Sequence, residues 1–267
     1  MGQYSSGNSE IGHIHIGCAG WSVPIAEKHH FPDGGSHLER YAEIFSAVEI
    51  NTTFYRSHRP ATYARWRDSV PETFRFSVKT PRAITHYRRL RQAGDLLAQF
   101  LDEAGNLREK LGCLLVQLPP NLRFDASVAA GFFRQLRLAT QVPVACEPRH
   151  VTWFGEEAAA LLEQFAIARV SADPPIVVPA VPPVRSRLSY VRLHGSPVMY
   201  ESTYPDAYLD ALAGKLLRQA RSGHAVWCIF DNTATGAATP NALSLLVRIR
   251  AMPDMGHAAR KCLTNSI

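Results

Sequence analysis

Short apolar runs recur along the chain and alternate with longer stretches whose apolar positions fall at helical spacing. The short runs predict strands over 14–17, 47–54, 74–79, 113–118, 142–147, 168–171, 189–194 and 225–230. Helices are predicted between them, over 36–45, 61–69, 93–110, 126–138, 156–165, 205–221 and 240–249. Ser36 and Glu39 have the spacing of a capping box, Pro71 stops the second helix, and Gly112 marks the end of the third. The connection after the sixth strand breaks the pattern. It carries Pro174, Pro175, Pro179, Pro182 and Pro183, which no helix interior tolerates.

Strand and helix in alternation signal βα units on a parallel sheet. Eight strands with a near-complete set of helices predict an α/β chain folded as a single-domain TIM (β/α)8-type barrel, one helix being replaced by a Pro-rich loop after strand 6. The barrel domain is expected over 11–252, between a flexible N-terminal segment, 1–10, and a C-terminal tail, 253–267. The rival architecture, an open doubly wound sheet, would carry GxGxxG after its first strand. Gly17-Cys18-Ala19-Gly20 is not that motif.

The same runs share a second property: they end on charged or polar side chains. The series is Val48-Glu49-Ile50-Asn51, Phe76-Ser77-Val78-Lys79, Leu115-Val116-Gln117, Cys146-Glu147-Pro148-Arg149, Ser171-Ala172-Asp173, Val191-Arg192-Leu193-His194 and Ile229-Phe230-Asp231-Asn232. A buried strand has no reason to finish on an ionisable group unless that end opens onto water or a ligand. In a barrel these ends form one rim, where the βα-loops begin. Residues two apart on a strand share a face, which pairs Glu49 with Asn51, Glu147 with Arg149 and Arg192 with His194.

The rim is mixed in sign, and that admits three readings. The charges neutralise one another, the cations bind an anion, or a carboxylate and an imidazole exchange protons. In the catalytic reading Glu147 and His194 act as acid and base, with Glu49 and Asp173 as further carboxylates. Lys79, Arg149 and Arg192 hold the anion, assisted by Asn51, Gln117, His150, Asp231 and Asn232. Trp21, Phe54, Tyr55 and Trp153 also fall at the predicted mouth, where they either wall the pocket or pack beneath loops.

Composition narrows the setting. With 46% hydrophobic and 19% charged residues, the chain is neither disordered nor membrane-spanning. Residues 1–11 lack the apolar region of a secretory signal, and a cytoplasmic location is expected. Five cysteines without a CxxC pair argue against a disulfide framework, with Cys18 at a loop mouth the one to watch. The net charge of +6 favours anionic partners, and Arg82, Arg88, Arg89 and Arg91 form a local basic group. GxSxG, P-loop, HExxH and kinase signatures are missing.

The strand-end segments also resemble a known family. They are Ile16-Gly17-Cys18-Ala19-Gly20-Trp21, Val48 to Tyr55, Phe76 to Pro81 with Ile84-Thr85-His86, and Val116 to Pro120. The series continues with Glu147-Pro148-Arg149-His150 and Trp153, Val191 to Gly195, and Phe230 to Thr233 with Asn241-Ala242. In this order they resemble the YecE-like family, domain of unknown function 72, across nearly the whole chain. The resemblance implies a TIM barrel and a cytoplasmic-type bacterial protein. One departure is Asp231, where the family usually looks like Asn-Asn.

The expectation is therefore an enzyme doing general acid–base chemistry on a small anionic substrate, phosphorylated or carboxylated, without a cofactor. One alternative is a divalent metal at Glu49, Glu147, Asp173 and His194 serving a phosphoester hydrolase. The other is a non-catalytic barrel that binds nucleic acid or protein, which leaves the rim carboxylates without a role. No membrane partner is expected, and the oligomeric state is open.

Overall fold

The computed structural model describes residues 13–177 and 184–252. The expected segments 1–10 and 253–267, and Pro179, Pro182 and Pro183, lie outside the described residues. Each predicted strand run contains a strand: β1 (Ile14–Cys18), β2 (Ala47–Ile50), β3 (Arg75–Lys79), β4 (Leu111–Gln117), β5 (Val144–Glu147), β6 (Ile167–Arg169) with β7 (Ser171–Asp173), β8 (Leu188–Leu193) and β9 (Ala225–Phe230). The helices are α1 (His37–Ile44), α2 (Pro60–Asp68), α3 (Gly94–Ala104), α4 (Ala126–Ala139), α5 (Glu156–Gln164), α6 (Asp206–Arg221) and α7 (Ala238–Ala251). Residues 174–177 and 184–187, the described part of the Pro-rich connection, contain no helix.

Three boundaries differ from expectation. The second strand stops at Ile50 because Thr53 folds back in a 3-10 turn, its hydroxyl donating to Ile50 O at 3.0 Å or to Lys79 O at 2.6 Å. The third helix ends at Ala104 and tightens into a 3-10 segment, Gly105–Lys110. The sixth strand is interrupted at Val170, where the chain changes its pairing partner.

All pairings are parallel, in a four-stranded sheet ordered β1-β9-β8-β7 and a five-stranded sheet ordered β2-β3-β4-β5-β6. The sheets meet at two seams. At one, β6 pairs with β5, Val170 N donates to Cys146 O at 2.8 Å, and the next three residues pair with β8. At the other, Ala19 bridges to Glu49 and Gly20 N donates to Glu49 O at 2.9 Å.

Strand alternation sorts side chains into two layers. Val48, Ile50, Leu114, Val116, Val144, Cys146, Val191, Leu193, Val226, Cys228 and Phe230 join the large core beneath the helices. The opposite face begins apolar, with Ala47, Cys113, Leu115, Ala145, Tyr190, Trp227 and Ile229. Towards the strand C-termini that same face becomes Glu49, Lys79, Gln117, Glu147, Arg192, His194 and Asp231, all buried. The polar strand ends are thus stacked on an apolar plug, which holds them in place. No helix among the described residues is long and apolar enough to cross a membrane.

The second seam depends on one side chain of α1. That helix starts as predicted: Glu39 N donates to Ser36 Oγ at 3.2 Å, and Ser36 N donates to Glu39 Oε2 at 2.6 Å. Buried Tyr41 then accepts from Cys18 N at 2.7 Å and donates to Ala47 O at 3.1 Å, bridging β1 to β2 where no regular ladder forms. Close approach here needs Gly17, since a Cβ at that position would lie 1.9 Å from Ala47 O. Tyr41→Phe leaves the buried Cys18 N–H and Ala47 C=O without this partner and should cost about 1–3 kcal/mol in urea unfolding. A cost below experimental error would show that the phenol does not hold this seam.

Candidate functional site

Arg192 lies at the centre of the polar layer and is fully buried. Its Nε and Nη2 donate to Glu49 Oε2 and Oε1 at 3.0 and 2.7 Å, a fork-to-fork pair. Nη1 donates to Glu147 Oε2 at 2.7 Å and Nη2 to Asp231 Oδ2 at 3.0 Å. One guanidinium therefore ties together carboxylates from β2, β5 and the end of β9. Tyr190 OH, two residues earlier on the same face, lies 2.9 Å from Glu49 Oε2 and 2.8 Å from Ser77 Oγ, donating to one of them. Arg192 and Glu49, expected to bind substrate and to act in catalysis, form the floor instead. The guanidinium fork is closed on protein carboxylates and has no exposed surface for an anion.

Above this floor stands His194. Its Nδ1 meets Asp231 Oδ2 at 2.9 Å and its Nε2 meets Glu147 Oε1 at 2.8 Å. Nε2 also lies 2.8 Å from Arg149 Nη2, so it donates to Glu147 when it carries a proton and accepts from Arg149 when it does not. Glu147 Oε1 also accepts from Arg149 Nη2 at 2.7 Å, while Oε2 lies 3.3 Å from Gln117 Nε2. Asn51 Nδ2 reaches Asp231 Oδ1 at 3.3 Å. Glu147 thus has one oxygen on the floor and one towards Arg149 and His194.

Charge pairing overrides burial here. Desolvation alone would raise the Glu147 carboxyl, but Arg192 first, then His194 and Arg149, hold it well below the usual carboxylate range. Asp231 is likewise opposed by burial and held down by Arg192, His194 and Lys79. Lys79 goes the other way. Burial and the nearby Arg192 lower its ammonium pKa, against the pull of Glu49, Asp231 and Glu147. Its amine lies 4.4 Å from the centre of the Phe54 ring.

The family profile described as "Protein of unknown function DUF72" matches residues 15–261. The chain belongs to the DUF72 family. UPF0759 protein YecE of Escherichia coli (strain K12) is 34% identical over 165 residues, which is 60% of this chain and 59% of YecE. UPF0759 protein YunF of Bacillus subtilis (strain 168) is 23% identical over 263 residues, covering 87% of this chain and 93% of YunF. A solved DUF72 family protein from Enterococcus faecalis V583 superimposes with a TM-score of 0.76 at 22% identity, covering 91% of this chain and 97% of that one. Another, from Thermotoga maritima MSB8, gives 0.74 at 23% identity, covering 89% and 99%. At these identities the structural likeness speaks to the fold alone.

In this DUF72 chain the remaining candidates divide into two groups. Glu147, His194, Asp231, Arg149, Asn51 and Gln117 form one hydrogen-bonded set, with Lys79 within electrostatic reach of its carboxylates. Asp231, the departure from the usual family pattern, has both oxygens engaged by this set. Asp173 stands apart, with its Oδ1 3.0 Å from Tyr204 OH. Asn232 is buried and ties Ser202 O to Asn241 at 2.9 and 3.0 Å. Trp153 is not a pocket wall: it is 1% exposed and donates to Leu122 O at 2.9 Å, because the turn before α5 folds its indole inward. His150 caps that turn through Thr152. Trp21 packs edge-on against Trp66. Tyr55 is exposed and stands 5.5 Å from the Arg82 guanidinium.

Other residues enter without having been foreseen. Tyr190 and Ser77 were legible only as strand residues, although Tyr190 shares the parity of Arg192. Tyr200 places its ring edge-on to His194 at 5.7 Å from a loop with no periodicity. The basic group at 82–91 is partly engaged locally, Arg89 with Asn121 and Arg91 with Asp125 at 3.0 Å. Cys18 is buried, which pushes its thiol up to about 12, so it is no nucleophile at neutral pH. Among the described residues no cluster of three or more His, Cys, Asp or Glu is arranged to hold a metal. Glu49 and Asp173, two of the expected ligands, are bonded to Arg192 and Tyr204 respectively.

Removing the central cation should be severe. Arg192→Met leaves three buried carboxylates without their shared partner and should cost about 3–5 kcal/mol in chemical denaturation. A loss under about 1 kcal/mol would mean the carboxylates do not depend on it. Acid should act on the same cluster. Because the folded pKa values of Glu147 and Asp231 are depressed, their stabilisation is complete above the unfolded carboxylate value of about 4 and is lost as pH falls below it. The thermal midpoint of the wild type should therefore fall more steeply below about pH 4 than that of Glu147→Gln, and equal slopes would contradict this assignment.

Proposed function

We propose that this chain is an enzyme that performs general acid–base chemistry on a small anionic substrate, carboxylated or phosphorylated. In this reading the two sheets close through their seams into an eight-stranded (β/α)8 barrel of TIM type, and the site is its mouth. The single observation that carries the reading is the Asp231–His194–Glu147 relay, with contacts of 2.9 and 2.8 Å, set beside cations that retain unused donors.

Asp231 fixes the imidazole through Nδ1, which directs Nε2 at Glu147. A proton can then pass between the imidazole and the carboxylate and onward to substrate. Arg149 uses one nitrogen on Glu147 and His194, while its Nε is buried without a partner. That donor supplies the positive side of an anion site, to which the Lys79 amine adds N–H donors. Structural charge neutralisation accounts for Arg192 and Glu49, which lie on the floor, but leaves these unused donors unexplained.

A panel of phosphorylated and carboxylated metabolites should raise the thermal midpoint, since a ligand at a hundred times its Kd stabilises by about 2.7 kcal/mol. Arg149→Gln should abolish that shift while the chain stays folded. A shift of undiminished size in the variant would place the anion elsewhere and overturn the reading.

A further inference from the structure

Lys79 ends β3 beside three carboxylates and yet pairs with none of them. Its side chain is 6% exposed, and it makes no hydrogen bond or ion pair with the described residues. The reason is that the carboxylate oxygens are already engaged. Glu49 accepts from Arg192 through both oxygens, Glu147 from Arg149, His194, Gln117 and Arg192, and Asp231 from Asn51, Arg192 and His194. An ammonium at Lys79 would be a buried charge without a hydrogen-bonded counter-ion of its own, whereas a neutral amine with a free lone pair needs none.

We propose that Lys79 is a nucleophile that condenses with a substrate carbonyl to form an imine. The substrate class then becomes a small aldehyde or ketone bearing a carboxylate or phosphate. This rests on the acid–base reading of the same site and adds its substrate class. The Lys79 nitrogen lone pair forms a bond to the carbonyl carbon, and the carbonyl oxygen takes a proton from the acid–base set. Nitrogen then gives up a proton to that set. The hydroxyl leaves as water with a second proton, and a positively charged C=N bond remains. Overall, amine, carbonyl and one proton yield iminium and water, with no oxidant or reductant. The positive iminium restores a cation at Lys79 and acidifies the adjacent C–H for the Glu147–His194 pair. Arg149 holds the anionic end. The face of Phe54 shields the nitrogen from water on one side.

The test is reductive trapping with glyoxylate and sodium cyanoborohydride at pH 7 on the full chain, read by peptide mass mapping. A reduced imine leaves a carboxymethyl group on the lysine. Lys79 should be labelled at least about tenfold faster than the exposed Lys28 and Lys215, because burial and the nearby Arg192 lower its pKa and leave more of it as free amine. Lys79→Met, which keeps the bulk without placing a charge in the buried site, should remove the fast label and leave the thermal midpoint in place. Labelling of Lys79 no faster than that of the exposed lysines overturns the proposal. If anions still raise the midpoint of the unmodified chain in that case, only the imine is lost and the acid–base reading stands. If they do not, that reading fails as well.

Discussion

The polar layer depends on one buried guanidinium. Arg192 brings three carboxylates from separate strands within 3.0 Å, and each would repel the others without it. A buried cation costs several kcal/mol in desolvation, which good geometry and multiple hydrogen bonds offset. Here the geometry is supplied from below. The apolar plug made by Leu115, Ala145, Trp227 and Ile229 excludes water, and Tyr190 fixes the orientation of Glu49. The contribution to stability is therefore inseparable from the contribution to shape.

Glu147 joins this floor to the polar groups above it. One of its oxygens faces Arg192 and Gln117, the other Arg149 and His194. A rigid carboxylate supported from beneath holds its upper oxygen at a fixed place without using pocket groups for the purpose. Glu147 occupies one nitrogen of Arg149 and leaves the Arg149 Nε without a partner.

The alternation of strand and helix was readable because burial imposes period and because each strand end changes from apolar to polar. That signal picked out Glu147, His194, Asp231 and Arg149, which the structure brings into one hydrogen-bonded set. What parity cannot give is depth. Arg192 and His194 share a face and differ by one layer, so the floor residue and the site residue look alike in sequence. The depth of the aromatic residues is hidden for a related reason. Trp153 follows a charged motif, but a tight turn sends its indole inward to Leu122. Tyr200 gave no signal, because its position relative to His194 is set by an irregular loop. The break at Val170 was hidden as well, since a change of pairing partner leaves no mark in hydrophobicity.

At the far pole of the strands the fastenings are of another kind. The Arg137 guanidinium donates to the carbonyls of Val142, Phe165 and Ala166, and buried Lys110 donates to those of Arg67 and Val70. These long side chains clasp main-chain oxygens, which every residue carries whatever its identity. The pole opposite the carboxylates is thus anchored largely through main-chain oxygens, with Glu72 Oε1, 3.4 Å from Lys110 Nζ, as a side-chain partner. Loops at the carboxylate end can consequently differ in sequence without loosening these main-chain anchors.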